Sequence, residues 1–135
     1  MFSNEFNRRY SSDGINSNSL MPGLIVTNIQ RHMSLEEKQL FGLADADGRP
    51  VMDARMKSVE QGAATTVWAC VAIELEGKGG LYLEDCHISP EKTVAALKEE
   101  YKSGQTMPVG VCPHALDEKK ASKLWDFSLE AIKQN

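Results

Sequence analysis

Phe2, Phe6 and Tyr10 recur every fourth residue, a spacing that lines them along one face and predicts a short helix over residues 1–10. "SSDG" at 11–14 closes it with turn-forming residues. Residues 15–20 are too few for a helix and lie between Gly14 and the Pro22-Gly23 pair. They are read as a strand, although Asn16 and Asn18 are poor strand formers. In "SLMPGLIVTN" the proline fixes φ and the glycine accepts positive φ, so the chain turns sharply between two apolar segments. Thr27 and Asn28 then offer a hydroxyl and an amide where a helix can begin.

Ser34, with Glu37 three residues on, has the pattern of a capping box and predicts a helix over 35–41. "GLADADGRP" at 42–50 is a loop by its Asp, Gly and Pro content. Asp45 and Asp47 resemble the start of a calcium loop, but the later ligands of that motif are missing at the required spacing. A solvated turn is the better reading. The clearest helix is 57–75, with Val59, Ala63, Val67 and Val71, and the neighbouring Ala64 and Trp68, as its apolar face. Gly62, Ala63 and Ala64 make its first half narrow and suited to close packing.

"GKGG" at 77–80 ends that helix, and "LYLEDC" at 81–86 alternates like a strand. An amphipathic helix over 118–132 closes the chain, with Ala121, Leu124, Trp125, Ser128 and Ile132 on one face. Two strands separated by far more than a dozen residues fit a parallel pair joined by a right-handed crossover, with the long helix packed across it. Pro22-Gly23 would then lie beyond the carboxyl end of a parallel strand, where open α/β sheets bind ligands.

Composition narrows the function classes. The chain has 135 residues, 41% hydrophobic and 25% charged, the balance of one ordinary globular domain. A net charge of -4 argues against a nucleic-acid surface, and Arg8-Arg9 reads as a solvated helix face. No apolar window is long enough to span a membrane, and "MFSNEFNRRY" lacks a signal-peptide core, so the expected compartment is the cytoplasm. Cys70, Cys86 and Cys112 fit neither a disulfide framework nor a zinc site and are read as reduced, small core residues. Cys86-His87 is rejected as a metal pair because neighbours on a strand point to opposite faces. His32 and His114 are read as surface or loop residues.

"GINSNSLMPGLIVTNIQRHM" resembles the strand and turn that follow the catalytic residues in the short-chain dehydrogenase/reductase family. "KSVEQGAATTVWACVAIELEGKGGLYLEDC" is similar to the late helix and last strand of its retinol-dehydrogenase-like and WW-domain-oxidoreductase-like branch, and "ALDEKKASKLWDFSLEAI" to that branch's C-terminal helix. The resemblance covers nearly the whole chain. It implies an α/β fold, the C-terminal part of a Rossmann-like doubly wound parallel sheet, and hydride transfer between NAD(P) and an alcohol or carbonyl substrate.

Carried over by position, Pro22 and Gly23 would shape the turn beside the nicotinamide. The backbone of Ile25 would reach its carboxamide, and the Thr27 hydroxyl would bond the carboxamide or pyrophosphate. Residues 28–56 would be the substrate-covering segment of the single domain to which 1–135 belongs. Met21 stands where the branch often has His, and Ser17 where an apolar residue is usual.

The family's acid/base pair is Tyr-x-x-x-Lys, and its pyrophosphate sits on a Gly-rich turn after the first strand. This sequence has no such turn, and Tyr10, Tyr82 and Tyr101 are not followed by Lys four residues later. The N-terminal cofactor half is thus expected to be absent, with Met1 falling a few residues after the expected Lys. No catalytic residue and no metal ligand is assigned. Two classes follow: the C-terminal portion of an NAD(P)-dependent oxidoreductase, inactive alone, or a non-catalytic truncated product or partner-binding module. Uncovered sheet edges and apolar faces make self-association an expectation.

Overall fold

The computed structural model describes residues 1–25, 27–51, 56–103 and 109–133. The predicted first helix forms as α1, Phe2–Tyr10, and a 3-10 turn at Ser11–Asp13 leads to Gly14 at φ 78°. The expected parallel pair is present, though each strand is shorter than predicted. β1, Ser19–Met21, runs parallel to a later strand, Tyr82–Glu84, with Ser19 opposite Tyr82 and Met21 opposite Glu84.

Residues 15–18 are not strand, because asparagine side chains take over backbone bonding there. The Ser17 amide donates to Asn7 Oδ1 at 3.0 Å, and the Leu81 amide donates to Asn18 Oδ1 at 3.0 Å. Beyond the Pro22-Gly23 turn, β2, Leu24–Ile25, is followed by a 3-10 helix at Asn28–His32 and by α2, Leu35–Leu40. The predicted capping box is made: Glu37 N–H donates to Ser34 Oγ at 3.1 Å and Ser34 N–H to Glu37 Oε2 at 2.7 Å.

The predicted helix over 57–75 is divided. Lys57 belongs to β3, Met56–Lys57, which pairs in parallel with β2; Ser58 caps α3, Val59–Val71; and Ala72 is extended before a 3-10 turn at Ile73–Leu75. Its buried face also differs from the prediction. Gly62 and Thr65 are buried, whereas Val59, Val67 and Val71 are 60%, 58% and 71% exposed. α3 packs on both parallel pairs through its smallest residues, because only a glycine allows the approach seen here: a Cβ on Gly62 would lie 2.6 Å from Ile25 Cγ1. The valine stripe is left facing outward.

The strand predicted over 81–86 ends at Glu84 as β4, Tyr82–Glu84. Asp85 and Cys86, at φ 49° and 57°, form the two-residue turn into an antiparallel β5, His87–Ile88. Positive φ at both positions suits the twist of a tight hairpin. Cys86 therefore lies in a turn and not on a strand, so the strand argument used against a Cys86-His87 metal pair fails. No group of three or more metal-ligating side chains occurs among the described residues.

The three-stranded sheet is mixed, in the order β1-β4-β5, so the parallel pair is not the whole of it. α4, Val94–Ser103, has no counterpart among the predicted elements, and α5, Glu118–Lys133, matches the closing helix. The only fully enclosed apolar side chain of any size among the described residues is Leu83, on β4. A second cluster joins α1 to α5, where Phe2 stacks on Trp125 at 5.0 Å and the Arg9 guanidinium lies 5.1 Å from the centre of the Trp125 ring. Cys70 is exposed and Cys86 and Cys112 half-buried, so the core reading of the cysteines does not hold. His32 and His114 are exposed, as expected.

The accessible surface is 9502 Å² for 14.9 kDa, whereas a folded monomer of that mass exposes about 7,000 Å². The excess is a third of that value. Among the described residues, large apolar side chains face outward on every helix, including Leu40 of α2, Val71 of α3 and Ile132 of α5.

Candidate functional site

β1 and β4 are parallel, so the loops that follow them, beginning at Pro22 and Asp85, leave the sheet at the same edge. This is the carboxyl edge, the ligand-binding side of open α/β sheets. Pro22 and Gly23 form the loop leaving β1, Ile25 ends β2 just beyond it, and Thr27 caps the 3-10 helix that follows. Gly23 is at φ 100°, a conformation that requires glycine, and a Cβ there would meet the Lys57 side chain at 2.8–2.9 Å. Ile25 is held on one side by its pairing with β3 and on the other by Gly62 of α3.

Thr27 caps the 3-10 helix that starts at Asn28. Its Oγ1 accepts from the Ile29 amide at 3.3 Å, and its own amide donates to Gln30 Oε1 at 2.8 Å. Gln30 completes the loop by donating Nε2–H to the Ile25 carbonyl at 3.1 Å. That bond uses one lone pair of the Ile25 oxygen and leaves the other, and the exposed Thr27 hydroxyl keeps its proton to donate. A cavity of about 230 Å³ opens beside Thr27, lined by Gln30, Arg31, Lys38, Leu43 and Pro50. Residues 52–55 of the expected substrate-covering segment lie outside the described residues.

Sequence reasoning missed three participants. Thr65, on α3 and 1% exposed, accepts from the Cys86 amide at 3.3 Å and so seats the hairpin turn. Glu84, buried on β4, accepts from Ser89 Oγ at 2.7 Å and from the Gly110 amide at 2.8 Å, tying the later chain to the sheet. Lys57 forms an ion pair with Asp85 and donates to the Pro22 carbonyl at 3.4 Å. Lys57 and Asp85 stand near opposite ends of the stretch that resembles the family, and only the shared carboxyl edge brings them together.

Tyr82 lines a separate cavity of about 340 Å³ with Ser19, Cys112 and His114. Burial first, and then the negative charge of Glu84, push its phenol above the ordinary range. It stays protonated at neutral pH.

The parallel pair, the turn at its carboxyl edge and the helix packed across it are those of an α/β protein with its ligand edge exposed. The chain is 42% identical over 129 residues to a short-chain dehydrogenase/reductase of Penicillium roqueforti, covering 96% of this chain and 34% of that protein. It is 38% identical over 137 residues to an oxidoreductase of Penicillium decumbens, covering 98% of this chain and 36% of that one. It is 47% identical over 87 residues to the WW domain-containing oxidoreductase of Gallus gallus, covering 64% of this chain and 19% of that protein.

The chain belongs to the short-chain dehydrogenase/reductase family and matches a C-terminal portion of it. It spans about a third of the length of the curated relatives it matches over nearly all of its own. No family model matches the chain, and no solved structure does.

Proposed function

We propose that this chain is the C-terminal portion of an NAD(P)-dependent oxidoreductase acting on an alcohol or carbonyl, and that the 135 residues alone are inactive. One observation carries the reading: the Pro22-Gly23 turn stands at the carboxyl edge of a parallel strand pair, with a backbone acceptor at Ile25 and an exposed hydroxyl at Thr27 in the few residues that follow it. Those two groups would hold one end of a nicotinamide cofactor, the Ile25 backbone reaching its carboxamide and the Thr27 hydroxyl bonding the carboxamide or the pyrophosphate. When bound, the dinucleotide would accept a hydride from an alcohol or donate one to a carbonyl. This chain's part is to wall and orient the nicotinamide end, with residues 28–56 covering the substrate.

Affinity for a dinucleotide in a Rossmann-like sheet comes largely from the pyrophosphate on a Gly-rich helix N-terminus. This sequence contains no such turn and no Tyr-x-x-x-Lys pair. A missing general acid costs on the order of 10²–10⁴-fold in rate, and the lost positioning adds to it.

The test is NADH and NADPH binding by fluorescence, and turnover of retinal and simple aldehydes, by the 135-residue chain and by a version extended upstream. The expected result is neither binding nor turnover by the short chain and both by the longer one. Micromolar binding or clear turnover by the short chain refutes the proposal. The second reading, a non-catalytic product or partner-binding module, is favoured by the outward valine stripe of α3 and stands if the extended chain is also inactive.

A further inference from the structure

We infer that Lys57 is a positioning residue for the candidate site: it clamps the loop leaving β1 to the loop leaving β4, and so holds the nicotinamide-side wall in place. This rests on the functional reading above and names a residue that reading does not use.

Three contacts converge on one side chain. Lys57 stands opposite Ile25 in the β2–β3 pair, so its backbone is registered to the wall. Its aliphatic stem crosses Gly23 closely enough that Cδ and Cε would lie 2.8 and 2.9 Å from a Cβ there. Its ammonium donates to the Pro22 carbonyl at 3.4 Å and pairs with the Asp85 carboxylate. Asp85 is in turn fixed, because it precedes Cys86, whose amide is bonded to buried Thr65 of α3. One cation thus bridges both carboxyl-edge loops, with a quarter of its side chain exposed, at 24%.

A lysine suits this position because its long stem can lie flat over the glycine while the charged head reaches past the edge. Methionine keeps the stem and removes the head, and arginine keeps the charge.

The test has two arms. In the 135-residue chain, amide hydrogen exchange by NMR compares the unaltered sequence with Lys57→Met, Lys57→Arg and Asp85→Asn. Faster exchange at Gly23, Leu24 and Ile25 in Lys57→Met and Asp85→Asn is expected, with Gly110 unchanged and Lys57→Arg close to the parent. Unchanged exchange at the wall, or faster exchange everywhere, overturns the clamp.

The second arm uses the upstream-extended chain and compares NADH or NADPH with the matching ADP-ribose fragment, which lacks the nicotinamide. Lys57→Met is expected to weaken the dinucleotide about tenfold, the scale of one lost hydrogen bond to a charged group, and to leave the fragment unaffected. Lys57→Arg should restore most of the loss. Equal weakening of both ligands, or of neither, overturns the positioning role. If the unaltered extended chain binds no dinucleotide, the functional reading fails by itself, and the exchange arm alone decides whether Lys57 clamps the loops.

Discussion

Replacing Gly62 with alanine sets two effects of known sign against each other. In a helix interior Gly→Ala ordinarily stabilises by about 1 kcal/mol, because glycine gives up more backbone freedom on folding. Here the new Cβ would lie 2.6 Å from Ile25 Cγ1 and 2.8 Å from Cδ1, well inside contact distance. Ile25 cannot easily yield, since β-branching limits its χ1 and its backbone is paired to β3. Overpacking of this kind costs about 1–3 kcal/mol, so the net expectation is a loss of up to about 2 kcal/mol. For a chain of this length, 1 kcal/mol shifts the melting temperature by roughly 3–4 °C.

Urea unfolding followed by circular dichroism at low micromolar concentration gives the number, with Ala63→Gly, at an exposed position of the same helix, as the propensity control. A double-mutant cycle with Ile25→Ala isolates the clash: removing Cγ1 and Cδ1 should return Gly62→Ala to its ordinary stabilising sign. The reasoning is refuted if Gly62→Ala alone is stabilised by the full helix-propensity amount, or if the cycle is additive.

Thr65→Val leaves the Cys86 amide without its acceptor in a buried setting and should cost about 1–3 kcal/mol, measured by the same unfolding curves. Glu5, 1% exposed, is held below its ordinary carboxylate pKa of 4.5, first by the hydrogen bonds from Arg8, with Arg9 adding to them. A depressed folded pKa stabilises above the unfolded value and is lost as pH falls through the folded one. The melting-temperature gap between the parent and Glu5→Gln should therefore be largest near neutrality and close as pH drops below 4.5; a gap that is constant with pH contradicts this. The outward valines of α3 predict self-association, which Val67→Lys with Val71→Lys should reduce in sedimentation velocity without loss of helix signal. A monomeric parent with a sharp reversible transition refutes that expectation.

Local signals were legible without a structure because they act within a few residues. The spacing of Phe2, Phe6 and Tyr10 marks α1, and the Ser34 and Glu37 side chains close a box whose bonds are all local. Pro22-Gly23 marks a turn by the two residues' own backbone preferences, and Gly23 does take positive φ. The parallel pairing of the two strands followed from the length of chain between them, and the SLM and YLE segments do pair that way. Turn chemistry alone put Pro22 and Gly23 beyond the carboxyl end of a strand, whereas the cofactor roles proposed for Pro22, Gly23, Ile25 and Thr27 came only through the family resemblance.

What the tertiary structure decided are choices between surfaces that look alike in one dimension. α3 carries a valine stripe and a Gly62-Thr65 face, and hydropathy favours the valines. The sheet selects the other face because Ile25 needs the space that only Gly62 leaves and the Cys86 amide needs the Thr65 hydroxyl. Asp85 and Cys86 continue an alternating pattern, yet they turn into β5, with the Cys86 amide held by Thr65 of α3. Lys57 looked like the first residue of a helix. Its place in β3, over Gly23 and against Asp85, depends on partners far away in the sequence on both sides. Hydropathy and spacing record what a residue prefers among its neighbours in sequence; which partner it meets is settled by how the elements stack.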